Sequence, residues 1–226
     1  MHPRASFWQR AAAWSLDATL LAVPTLLLTW PSIAAGLAAM QAAGAALVTG
    51  TNQVAVAAAH GADPMALMQS PDAAGLVQAS ATVEAAAWQL LLPPLLTFAL
   101  LGGIYHVAAE CSRWRGSLGK RWLDLHVGDA RGARLEWPQS AWRYLAGSLS
   151  WLTLNLGHAM ALRPGRRALH DRLSHTRVSS LGEARLPEWA RAWLWLQGGV
   201  LVLATLWLVA RLYAAMQALM EQALGL

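Results

Sequence analysis

The chain has 226 residues, 56% of them hydrophobic and only 13% charged, with a formal net charge of +5. Charge this sparse excludes an ordinary soluble domain, in which about a quarter of residues are charged, and the single cysteine, Cys111, excludes an internal disulfide and a cysteine-based zinc site. Lys and Arg are absent from residues 11–112, whereas 14 of the 17 lie between Arg113 and Arg191. Cations beside apolar runs are the mark of cytoplasmic retention next to anionic lipid headgroups, and no nucleic-acid recognition motif accompanies them.

In chain order, the first span is expected over about 11–30, with Arg4 and Arg10 holding its start inside. About 20 apolar residues suffice to cross a bilayer core. The run is too long for a cleaved leader and continues past any cleavage-like site. Pro24 and Pro31 are expected to bend or end the span. Beyond them an Ala- and Gly-rich stretch with Ala35, Ala39 and Ala43 at four-residue spacing can continue as helix and pack closely on a neighbour. Residues 50–78 carry Asp63, Pro64, Pro71 and Asp72 without a cation and read as an outer loop. A second span over about 85–109, kinked at Pro93 and Pro94, returns the chain to the basic side.

Residues 113–141 form a basic motif. Its Leu125 and Val127 alternate with His126 and Gly128 as in a short strand, followed by a turn at residues 129–132. The apolar stretch 142–162 is just long enough to span, but a full crossing would strand Arg163, Arg166, Arg167, Arg172 and Arg177 outside. A re-entrant or in-plane helical pair, broken near Asn155 and Gly157, avoids this. A second basic motif, 163–181, holds a helical turn and a strand over residues 176–180. Pairing of the two strands gives a small cytoplasmic hairpin. Residues 182–226 add a last span, with Arg185 and Arg191 inside and the C-terminus outside. The expected fold is therefore an all-α integral membrane protein with three full transmembrane helices, the re-entrant pair and the hairpin.

Three blocks carry a resemblance: FWQRAAAWSLDATLLAVP from residue 7, GSLGKRWLDLHVGD from residue 116 and RRALHDRLSHTRV from residue 166. In order and content they resemble the RDD family of bacterial integral membrane proteins, named for an Arg and two Asp that match Arg10, Asp17 and Asp171. Ser117 stands where Thr is commoner. The resemblance covers residues 7–178, makes 1–181 the family domain and 182–226 an added helix, and implies a bacterial inner membrane. It also implies roles ranging from transport, including cation/proton exchange, to association with other membrane proteins.

Arg10, Asp17 and Asp171 form the expected signature charge network. Asp17 lies seven residues after Arg10, about 10.5 Å further along a helix axis, where a carboxylate must be paired or protonated. As an ion pair its expected partner is Arg143, Arg121 or Arg172. As a functional group it is a proton- or cation-binding carboxylate, with His106, Glu110 and Asn155 completing a path. His106 and Glu110 lie four apart on one helical face, within reach of Arg113 or Lys120. Lys120, Arg121, Arg166 and Arg167 are candidates for contact with lipid or a partner. The His170–Asp171 pair lacks the further ligands of a metal-dependent hydrolase, so no metal, cofactor or catalytic residue is expected. The resulting expectation is a non-catalytic subunit or scaffold. Its partners would be the anionic bilayer and either a second copy or another membrane protein, with an oligomeric transporter using Asp17 as the alternative.

Overall fold

The computed structural model describes residues 3–153, 155–182 and 185–224. The chain order is α1 (Phe7–Ala59), α2 (Pro64–Met68), α3 (Pro71–Cys111), α4 (Leu118–Trp122), β1 (Leu125–Asp129), α5 (Trp137–Leu152), α6 (Leu156–Ala159), a 3-10 turn (Met160–Leu162), α7 (Leu169–Leu173), β2 (Thr176–Ser180) and α8 (Glu188–Leu224). Among the described residues three helices, within α1, α3 and α8, are long and apolar enough to cross a membrane. They coincide with the three expected spans.

The helices are longer than expected. α1 runs through Pro24 and Pro31 for 53 residues, and a long apolar helix tolerates the lost N–H donors when neighbouring groups re-satisfy the freed carbonyls. The expected outer loop at 50–78 is correspondingly reduced to residues 60–63 and 69–70. Its prolines start helices instead of breaking them: Pro64 and Pro71 open α2 and α3, and Asp63 caps α2 by accepting from the Ala66 N–H at 3.0 Å.

The chain forms two compact units, Met1–Thr25 with Phe98–Val200, and Leu26–Thr97 with Leu201–Leu226. In the second unit α1 and α3 pair through small residues. Gly36, Ala43 and Gly50 are buried on α1, and Ala79 and Ala86 on α3. Their spacing is seven residues, the period of a left-handed helix pair, and the seam contains only Ala43 of the three alanines expected at four-residue spacing. A Cβ on Gly36 would lie 2.9 Å from the Leu90 side chain, so the close approach depends on glycine.

In the first unit β1 and β2 pair antiparallel, with Leu125 opposite Ser180 and Val127 opposite Val178. This is the expected strand pair, but the 46 intervening residues make it a ribbon closed over distance, not a hairpin. The Asp129 carboxylate accepts from the N–H groups of Arg131 and Ala133 to form the turn after β1, and Gly132 adopts φ +89° there. The chain start lines the other edge of β2: Ala5 N–H donates to the Val178 carbonyl and Ser180 N–H to that of Pro3. The core consists of Leu125, Val127 and Val178 from the ribbon, Ala12 and Ala13 of α1, Leu123, Leu135 and Ala190, with Leu194 against it. The foot of α8 belongs to this core through Ala190 and Leu194.

Helix α5 begins at Trp137, five residues before the expected re-entrant segment, and is built inside out. Ser140, Arg143, Ala146 and Ser150 are buried on one stripe, while Trp142, Leu145 and Leu149 face outward. The break falls where the sequence places it. Asn155 takes the left-handed conformation at φ +65°, and its N–H donates to the Ser150 carbonyl at 2.7 Å. Gly157 then lies so close that a Cβ there would meet Ser150 Oγ at 2.3 Å.

Candidate functional site: a buried charge network

Five helices each contribute one charged side chain to a continuous network in the first unit. Arg10 of α1 and Arg143 of α5 both pair with Asp171 of α7. Arg143 also reaches Glu110 of α3 at 3.4 Å, and Glu110 pairs with Lys120 of α4 at 2.6 Å. Three cations and two carboxylates therefore alternate from Arg10 to Lys120, and the carboxylate side chains are no more than 5% exposed. Neutral groups complete the shell. Ser140 donates to Glu110 at 3.1 Å, Arg143 donates to Thr176 Oγ1 at 2.5 Å, and the Ala168 N–H donates to Asp171 at 2.9 Å. The last bond is helix capping, because Asp171 occupies the third position of α7. Arg10 also donates to the Arg166 carbonyl at 2.7 Å.

Burial alone would raise the Asp171 pKa, but the Arg143 and Arg10 guanidiniums override it and hold this carboxyl well below the usual carboxylate range. His170 beside it is pushed down to about 3 by burial and by Arg143, which outweigh the pull of Asp171. It is therefore a neutral neighbour, with the His158 ring 5.2 Å away. Because its folded-state pKa lies below the unfolded value of about 6.5, the unfolded chain binds the extra proton. The His170 contribution is fully present above pH 6.5 and is lost as pH falls toward 3. Between pH 6.5 and 5 the loss is expected to be about 2 kcal/mol. A thermal unfolding midpoint in detergent should fall over this interval, and His170→Gln should flatten the slope. An equally steep slope in the variant would remove His170 as its cause.

Asp17 stands apart from this network. Instead of Arg143, Arg121 or Arg172, its carboxylate accepts from three neutral donors: the Tyr105 hydroxyl at 2.7 Å, the Ser117 hydroxyl at 2.5 Å and the Gly119 N–H at 2.8 Å. No cation lies within ion-pair distance of it among the described residues. The geometry explains the GSLGK motif. Ser117 is the N-cap residue of α4, and Gly119 lets the backbone approach α1 so closely that a Cβ would sit 2.1 Å from the Ala13 carbonyl oxygen. The Tyr105 hydroxyl also accepts from the Leu118 N–H at 2.8 Å, so one phenol and one carboxylate seat the whole turn.

The other sequence candidates divide. His106 stacks on Tyr144 at 6.2 Å and its buried Nδ1 has no hydrogen-bond partner among the described residues, and Glu110 is fully engaged. Asn155 is exposed at its break and is not brought to Asp17, His106 or Glu110. Of the four candidate contact cations, Lys120 is held by Glu110. Arg166 donates to the Arg4 carbonyl and Arg167 to that of Asp171. Arg121 remains outward, lying over the Trp114 ring at 4.3 Å. Sequence reasoning missed Arg143 as the hub, and also missed Tyr105, Ser117, Ser140 and Thr176. The signal for Arg143 was available: Ser140, Arg143, Ala146 and Ser150 recur at helical spacing within a Trp- and Leu-rich segment.

The RDD family model matches residues 4–175, a range that includes all five members of the network. Uncharacterized protein YxaI of Bacillus subtilis (strain 168) is 32% identical over 87 residues, 38% of this chain and 58% of that protein, so the chain spans little more than half the length of this relative. No solved structure matches. With Arg10, Asp17 and Asp171 all placed in structured roles, and with three apolar helices that point to a membrane protein, the chain belongs to the RDD family.

Proposed function

We propose that this protein is a non-catalytic membrane subunit or scaffold of the bacterial inner membrane, with its N-terminus and basic motifs cytoplasmic and its C-terminus periplasmic. The observation that carries the reading is the mutual satisfaction of Arg10, Asp171, Arg143, Glu110 and Lys120. Charges spent on one another lock helices together and leave no charged group of the network free to bind a solute. The outward faces would then serve membrane neighbours, a second copy or another membrane protein, and Arg121 over Trp114 suits contact with anionic headgroups. Purification in mild detergent is expected to retain a stoichiometric membrane neighbour or a defined oligomer. A lone monomer that fails to assemble when returned to lipid would end the scaffold reading. For orientation, Arg172→Cys in a Cys111→Ser background should label from the cytoplasmic side. Labelling from the outer side would reverse the topology.

One observation favours transport instead. Asp17 is a buried carboxylate on an apolar helix, held by neutral donors with no cation within ion-pair distance among the described residues, and an ionisable side chain so placed marks a candidate ion pathway. Cation or proton flux in proteoliposomes should vanish in Asp17→Asn if this is its use. Equal flux in wild type and variant at equal folding would eliminate it.

A further inference from the structure

A cavity of about 660 Å³ opens in the first unit where α8 begins, within the usual range for small-molecule sites of roughly 300–1,000 Å³. The charge network makes no use of it. Its lining carries both signs: Arg185 and Arg191 supply two guanidiniums, and Asp124 and Glu188 two carboxylates. Its apolar part includes Trp122, which is 65% exposed although it is a large aromatic. Directly after Arg191 the apolar run of α8 begins, so a ligand seated here has charged groups on one side and a lipid-compatible helix on the other.

We infer that this cavity binds the phosphoethanolamine headgroup of a zwitterionic membrane phospholipid. The phosphodiester sits between Arg185 and Arg191, whose planar guanidiniums suit phosphate oxygens. The primary ammonium donates to Asp124 and Glu188, and the glycerol backbone lies on Trp122 as the acyl chains follow α8. The carboxylates make the choice of headgroup. An anionic headgroup with no ammonium would meet their repulsion, and a trimethylated ammonium has no N–H to donate. The lining charges are available for this. Arg185 and Asp124 have no ion-pair partner among the described residues. Arg191 and Glu188 meet only each other at 3.2 Å, with side chains 58% and 94% exposed, a pairing that solvent leaves weak. Asp124 itself sits at φ +52°, a turn conformation that Asp and Asn adopt readily, and its carbonyl accepts from the Leu181 N–H. Asp124→Asn therefore removes the charge and keeps the turn.

This inference rests on the membrane placement of α8 and is independent of whether the protein scaffolds or transports. The experiment is native mass spectrometry of the intact protein released from mixed micelles containing equimolar phosphatidylethanolamine, phosphatidylglycerol and phosphatidylcholine. Wild type should retain one phosphatidylethanolamine, preferred over phosphatidylglycerol by about fivefold, the upper end for an exposed carboxylate–ammonium pair. Arg185→Gln with Arg191→Gln should weaken retention about 30-fold, and Asp124→Asn with Glu188→Gln should erase the preference between the two lipids. Unchanged thermal midpoints in these exposed-site variants would exclude misfolding as the cause. Equal retention of all three lipids by wild type, or unchanged retention in the double Arg variant, overturns the assignment. Displacement by equimolar soluble glycerophosphoethanolamine would assign the cavity to a free phosphodiester and overturn its assignment to a lipid.

Discussion

Asp171→Asn is expected to destabilise the protein by about 3–5 kcal/mol, the range for removing one partner of a buried ion pair. The substitution keeps the shape of the side chain and removes its charge, leaving Arg10 without a counter-ion and Arg143 with only the 3.4 Å contact to Glu110. Desolvated guanidiniums are costly when unpaired, so the penalty comes mainly from what remains behind. The measurement is the thermal or denaturant midpoint in detergent, with the fraction of monodisperse protein as a second readout. Pairing Asp171→Asn with Arg10→Met should cost less than the sum of the two single changes, because the second change removes one of the stranded cations. Strict additivity would show that Arg10 and Asp171 are not coupled, and an unchanged midpoint for Asp171→Asn would refute the structural role of the network.

The second large effect is expected from one methyl group. Gly119→Ala places a Cβ 2.1 Å from the Ala13 carbonyl oxygen and 3.0 Å from Asp17 Oδ1. A backbone carbonyl inside α1 cannot swing aside as a flexible side chain would, so α4 must lift away. The lift breaks the Gly119 N–H and Ser117 bonds to Asp17 and leaves that carboxylate buried and under-donated. Overpacking of this kind costs about 1–3 kcal/mol, and the lost hydrogen bonds to a charged acceptor put the expected total at or above about 3 kcal/mol. Gly147→Ala is the control. No neighbouring atom lies within 4 Å of the place its added methyl would take, and a glycine inside a helix costs about 0.5–1 kcal/mol relative to alanine. Unfolding midpoints should move in opposite directions for the two variants. A neutral Gly119→Ala would mean that α4 is not seated on α1 as described.

What was legible in the sequence was what local pattern controls. Apolar run length gave the three long helices, alternation gave Leu125 and Val127 as a strand, and Asn155 marked the break after α5. The four-residue spacing put His106 and Glu110 on one face of α3, and Lys120 proved to be the cation that Glu110 reaches. Partner choice was less legible because it is decided between segments far apart in the chain. The ion-pair expectation for Asp17 turned to arginine because charge is the most visible complement to a carboxylate in a sequence, while the alternative of a proton- or cation-binding carboxylate named no partner. Three neutral donors, one of them a backbone N–H, leave almost no mark in composition. Pro24 and Pro31, expected to bend or end the first span, lie inside α1, whose Ala- and Gly-rich stretch continues as helix: proline is a reliable stop in water, where a freed carbonyl is simply hydrated, and is tolerated in a long apolar helix.

The pairing of Arg10 with Asp171 joins side chains 161 positions apart. At about 5–20 residues per second of synthesis, Arg10 leaves the ribosome some 8–30 s before its counter-ion exists. Arg10 is therefore without this counter-ion for as long as the chain ahead of residue 171 is being made. Closure of the network must wait for residue 171, by which point α1, α3 and α5 have already been made. A chain that stopped before residue 171 would lack the carboxylate that ties Arg10 to Arg143.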